Sequence, residues 1–70
     1  MIKNGIVEKY DNDIYGYIID EDGKRYDFST DDISFNSLPL HPNDPVEFRV
    51  EDKGKELKLA RNVIRIDKDE

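Results

Sequence analysis

In Pro45-Val46-Glu47-Phe48-Arg49-Val50, apolar and polar residues alternate without a break, and Tyr26-Asp27-Phe28-Ser29 repeats the pattern. Successive side chains of a strand point to opposite faces. Val46, Phe48 and Val50 therefore share one face of one strand, and Tyr26 and Phe28 share one face of another. No stretch of the chain carries apolar residues at helical spacing over a useful length, so short half-buried strands are the only way to gather its apolar side chains. The expected fold is all-β.

Five strand-like segments follow from the same reading. The first runs from about Ile2 to Tyr10 and holds Gly5, an expected kink or bulge because glycine weakens a strand interior. Asp11-Asn12-Asp13 is a turn cluster. The second strand covers Tyr15 to Ile19, and Asp20-Glu21-Asp22-Gly23 closes a hairpin with an Asp-Gly turn signal. The third covers Lys24 to Ser29. Ser29-Thr30-Asp31-Asp32-Ile33 reads as a single N-capped helical turn, followed by a long loop from Ser34 to Asp44 with Pro39 and Pro42. The fourth strand opens at Pro45, a position that needs no ladder donor. Asp52-Lys53-Gly54-Lys55 then turns the chain into a last strand, Glu56 to Ile66. Its inward parity changes from Leu57 and Leu59 to Ile64 and Ile66, which a one-residue bulge would explain.

Five short strands with a long connection before the final hairpin suggest closure into a small antiparallel barrel, since closure removes sheet edges. The five-stranded OB-fold is the common solution at this size, and an SH3-like barrel is its competitor. Residues 1–70 make one domain. The chain has no cysteine, so neither disulfides nor thiolate ligands supplement the core. It shows no signal-peptide pattern, and no apolar run approaches the about 20 residues of a membrane-spanning helix. The expectation is a cytoplasmic protein without membrane contact.

The net charge of −6 argues against indiscriminate nucleic-acid binding. Its distribution is uneven: −8 over residues 1–52, +4 over 53–65 and −2 over 66–70. Metal binding is not expected, because Asp20-Glu21-Asp22-Gly23 lacks the glutamate of an EF-hand loop and His41 has no partner ligand nearby. With no cysteine, one histidine and no nucleophile–base pair, the chain reads as a non-enzyme without a cofactor.

Several segments taken in order resemble the bacterial cold-shock domain. That family opens with Gly-x-Val-x-Trp-Phe, and Gly5-Ile6-Val7-Glu8-Lys9-Tyr10 is similar. Its first ribonucleoprotein-type motif, Lys-Gly-Phe-Gly-Phe-Ile, compares with Asp13-Ile14-Tyr15-Gly16-Tyr17-Ile18. Its second, Val-Phe-Val-His-Phe-Ser-x-Ile, compares with Tyr26-Asp27-Phe28-Ser29-Thr30-Asp31-Asp32-Ile33. Val46-Glu47-Phe48-Arg49-Val50 and Ala60-Arg61-Asn62-Val63 match later segments. The resemblance spans roughly residues 2–66 and implies an OB-fold barrel that binds single-stranded RNA or DNA by stacking on its second and third strands.

The departures fall on the binding face: Lys9 stands for Trp, Asp13 for Lys, and Asp27, Ser29 and Thr30 for Phe, His and Phe. The inward positions stay apolar, at Val7, Ile18, Tyr26, Phe28, Ile33, Val46, Phe48 and Val63. Tyr15 and Tyr17 are the best candidate stacking residues. Tyr10 and Phe35 could extend the platform, although their simpler reading is as cover for a small core. Lys9, Lys24, Arg25, Lys58 and Arg61 are candidate phosphate contacts. Two functions follow as expectations. One is weak, salt-sensitive binding of single-stranded RNA or DNA. The other is an acidic protein-interaction module, with a basic protein as partner, that has lost nucleic-acid binding.

Overall fold

The computed structural model describes residues 2–11, 14–37, 39–54 and 58–66. Five strands form: β1 (Ile2–Asp11), β2 (Tyr15–Asp20), β3 (Arg25–Ser29), β4 (Pro45–Asp52) and β5 (Lys58–Arg65). They close into a barrel in the order β1-β2-β3-β5-β4, with β4 returning to β1. This is the expected OB-fold-like, five-stranded architecture. Four of its pairings are antiparallel, and the seam between β3 and β5 is parallel, at Asp27↔Leu59. The expected helical turn is a 3-10 turn at Thr30–Asp32, and the long loop holds a second at Phe35–Ser37. Ser29 donates its backbone N–H to Asp32 Oδ2 at 2.9 Å, tying off the first of these turns.

The eight inward positions named with the family resemblance are all buried: Val7, Ile18, Tyr26, Phe28, Ile33, Val46, Phe48 and Val63; Val50, also expected to face inward, is half-buried. Leu40 from the loop and Ala60 from β5 complete the core. Tyr26 packs on Phe48 with ring centroids 5.0 Å apart, and Tyr10 stacks on Phe28 at 5.6 Å. Aromatic pairs of this kind add about 0.5–1.5 kcal/mol beyond area burial. Asp20 closes one end of the barrel, where its carboxylate accepts from Asp22 N–H, Lys24 N–H, the Tyr26 hydroxyl and Lys3 Nζ at 2.8–3.3 Å.

Two local expectations are corrected. The irregularity of β1 lies at Glu8, between Val7 and Lys9, while Gly5 pairs regularly with Asp20 and Val46. Gly5 serves close approach instead, since a Cβ there would sit 2.8 Å from the Ile19 carbonyl oxygen. The bulge in β5 exists, but its sense is reversed. Ala60 and Val63 point inward, Leu59 is half-buried and Ile64 is exposed. Asn62 takes a positive φ of 53° and supplies the extra residue that shifts the parity between Arg61 and Ile64. Leu57, Asn12 and Asp13 lie outside the described residues, as do Lys55 of the expected turn and Glu56 at the expected start of the last strand.

The loop from residue 34 to 44 is tied to the barrel at both ends. Ser34 N–H donates to the Val63 carbonyl, and Asn43 and Asp44 exchange backbone hydrogen bonds with Val7 at 2.7 and 2.9 Å. Arg65 reaches across to the carbonyls of Ser37 and Pro39. These ties position the β1–β2–β3 flank by fixing the bulged middle of β1.

Candidate nucleic-acid interface

Strand register decides which side chains stand together outside the barrel. Tyr15 lies between Asp11 of β1 and Ser29 of β3; Tyr17 lies between Lys9 and Asp27. Gly16 and Ile18 take the inner face of the same strand, and both are buried. A Cβ on Gly16 would overlap the Lys9 carbonyl, so this glycine lets the bulged part of β1 lie against β2. The outer face of β2 therefore presents two tyrosines side by side, Tyr15 54% exposed and Tyr17 half-buried.

Arg25 accounts for the lower exposure of Tyr17. Its guanidinium carbon sits 3.9 Å from the centre of the Tyr17 ring, a cation–π contact. Arg25 and Asp27 are two apart in β3 and share its outer face, so Arg25 Nε also donates to Asp27 Oδ1 at 2.9 Å. This bond, with the nearby carboxylate charge, raises the Arg25 pKa further above its ordinary value. Asp27 thus holds the Arg25 guanidinium over the Tyr17 ring. From the sequence Asp27 reads as an acidic residue in an aromatic position, opposed to phosphate; its pairing with Arg25 was missed, although the Arg25-x-Asp27 spacing carries the signal for it.

The remaining candidate residues divide. Lys9 joins Tyr15, Tyr17 and Arg25 on this flank, 3.4 Å from Asp11. Tyr10 does not: it pairs with Gly16 on the inner side, stacks on Phe28, and its hydroxyl lies 2.8 Å from Thr30 Oγ1. Its simpler reading, as core cover, is the one that fits. Phe35 departs from that reading, for it is 85% exposed on the Phe35–Ser37 turn and covers no core. Lys58 pairs with Asp52 at 3.1 Å at the start of β5. Arg61 lies on the β4–β5 side and bridges Glu51 and Asp32, both at 2.6 Å. Those two bonds hold Arg61 protonated far above any physiological pH, and the Arg61 contact keeps the Glu51 pKa below the ordinary carboxylate range. Lys24 is exposed in the β2–β3 hairpin. Asp13 lies outside the described residues.

Lys9, Arg25, Lys58 and Arg61 thus each have a carboxylate within 4 Å. A phosphate reaching any of them must compete with that carboxylate. Ile14, exposed beside Tyr15, was not among the expected contacts; with Ser29, Thr30 and Asp31 it lines a shallow pocket at the end of the tyrosine pair. Among the described residues no cluster of three or more His, Cys, Asp or Glu is placed to hold a metal ion, and no helix is long and apolar enough to cross a membrane.

No protein-family model matches the chain, and no curated protein matches it at a significant level.

Proposed function

We propose that the chain is a divergent cold-shock-type domain that binds single-stranded RNA or DNA weakly, as a cytoplasmic, non-enzymatic protein. One observation carries the reading. Tyr15, Tyr17 and the guanidinium of Arg25 put three planar groups next to one another on the outer flank of β2 and β3. Unpaired bases stack on tyrosine rings and on arginine planes alike, and each base–aromatic stack contributes about 1–3 kcal/mol. Stacking supplies the affinity here. The carboxylates beside Lys9 and Arg25 keep the phosphate contribution small, and salt removes what remains.

Titration of the isotope-labelled chain with oligo-dT and with mixed RNA, read by backbone NMR at low and at physiological salt, tests this. The expected result is a set of shifts on β2 and β3 at low salt that fades as salt rises and is lost in Tyr15→Ala. Shifts confined to other strands, or no shifts at low salt, refute it.

A second reading, an interaction module for a basic protein, draws on the pairing of Arg25 with Asp27 and Lys9 with Asp11. These carboxylates line the same flank and would welcome added cations. A lysine-rich peptide that shifts the Asp11 and Asp27 amides, with oligonucleotides leaving them unmoved, selects this reading over the first.

A further inference from the structure

On the outer side of β1 and β4, and just past the end of β5, apolar residues form one row that reaches Ile19 of β2, the next outward residue after Tyr17. Ile19 of β2 pairs with Ile6 of β1, Ile6 pairs with Pro45 of β4, and Ile66 donates its N–H to the Pro45 carbonyl at 2.9 Å. Val46 and Phe48 point into the core, so Pro45, Glu47 and Arg49 face outward, and the residues registered against them face outward too. Ile64 stands opposite Glu47, and Ile2 opposite Arg49. Ile2, Ile6 and Ile64 are all exposed.

Glu47 and Arg49 sit at the centre of this band. They are two apart on the outer face of β4, and among the described residues neither has an ion-pair partner. Lys3 and Lys9 of β1, Arg25 of β3, and Lys58 and Arg61 of β5 are each matched to a carboxylate of the same chain. The pair is also neutral, on a protein of net charge −6. A surface with one cation and one anion at fixed spacing on a single strand is complementary to itself. An isologous contact requires that property, because the same patch must serve both sides.

We infer that this flank is the interface of a homodimer, with a second copy of the chain as its occupant. A two-fold axis crossing β4 between residues 47 and 49 sets each Glu47 against Arg49 of the second copy, twice over. The isoleucines around them are then removed from water. The band is small against the about 800 Å² that each partner gives a standard interface, so the dimer is weak and reversible. The contact centres on β4, with β1 between it and the strand that carries Tyr15 and Tyr17, so this inference does not rest on the proposed nucleic-acid binding.

Sedimentation equilibrium of the full chain over a wide concentration range tests it, with charge exchange as the probe. The unaltered chain should show a monomer–dimer equilibrium. Glu47→Arg sets like charges together at both symmetric contacts and should weaken the dimer about a hundredfold or more. Arg49→Glu should do the same. The double exchange, Glu47→Arg with Arg49→Glu, should return association to near that of the unaltered chain. Asp31→Lys alters the net charge as much as the first variant but lies on the Thr30–Asp32 turn, and it should not weaken association.

A readout free of any variant comes from the concentration dependence of backbone amide shifts. Those shifts should fall on the outer positions of β1, β4 and β5. A monomer at every concentration overturns the inference. So does a dimer that Glu47→Arg leaves intact, a double exchange that fails to restore association, or concentration-dependent shifts centred on Tyr15 and Tyr17.

Discussion

Replacing Asp20 by Asn should remove a large part of the stability of this barrel at neutral pH and almost none of it in strong acid. Asp20 is only 5% exposed, at the end of β2, with its side chain turned toward the barrel interior. Burial alone would raise its pKa. The Lys24 N–H, the Tyr26 hydroxyl, the Asp22 N–H and Lys3 together outweigh burial and bring it from an ordinary 3.8 down to about 2. At 1.36 kcal/mol for each pH unit, that depression corresponds to about 2 kcal/mol of folding stability at pH 7. Seventy residues at about 0.05–0.15 kcal/mol each imply roughly 3.5–10 kcal/mol in total, so Asp20 supplies about a fifth or more of it.

The direction with pH follows from the depression. The carboxylate is ionised in both states above pH 3.8, where its full contribution is present. As pH falls, the unfolded chain takes up the proton first, and the contribution disappears as pH passes through about 2. Urea denaturation followed by far-UV circular dichroism, on the unaltered chain and Asp20→Asn, measures the difference. It should be about 2–3 kcal/mol at pH 6–7, about half that at pH 3, and below about 0.5 kcal/mol at pH 2. Asn keeps an oxygen for the two backbone donors but turns an amide toward Lys3 and Tyr26. A difference that persists unchanged at pH 2 would mean that this altered hydrogen bonding, and not the charge, is responsible. A difference under about 0.5 kcal/mol at pH 7 would refute the reasoning outright.

Gly16→Ala should destabilise the barrel by about 1–3 kcal/mol or more, because its Cβ overlaps the Lys9 carbonyl and forces β1 from β2; an unchanged urea midpoint would contradict this. Asp27→Phe removes the clamp on Arg25 and adds an aromatic surface beside Tyr17, so low-salt affinity for oligo-dT should rise about tenfold or more, with fluorescence anisotropy as the readout and a flat response as the contrary result. The same change at Thr30 is a poorer probe, since Thr30 already bonds Tyr10 and the Ile14 carbonyl. Asn62→Val should cost about 1–2 kcal/mol at its positive φ, while Asn62→Gly should stay within a few tenths; equal melting temperatures for the two variants would count against a left-handed Asn62.

The tyrosine flank illustrates how far sequence reading reaches. That Tyr15 and Tyr17 share an outer face follows from alternation alone, and so does the burial of Tyr26 and Phe28. That Arg25 lies on Tyr17 requires β3 to be registered against β2 so that Asp27 meets Tyr17. Phe35 was unreadable for a similar reason. Its neighbours are set by where the loop is tied to β5, and those ties join residues distant in sequence.

Alternation of side chains is a property of the extended backbone itself, so the sequence by itself determined the all-β class and the core residues of β2, β3 and β4. It also determined the single turn after Ser29, whose capping groups lie within a few residues of one another. Register between strands is a property of the closed barrel. Only the tertiary structure decided that the bulge of β1 falls at Glu8, that β5 turns inward at Ala60 and Val63, and that Ile19, Ile6, Pro45 and Ile66 form one row. Each of those outcomes depends on backbone hydrogen bonds between segments far apart in the chain. A shift of one residue in any of them exchanges the inside of a strand for its outside.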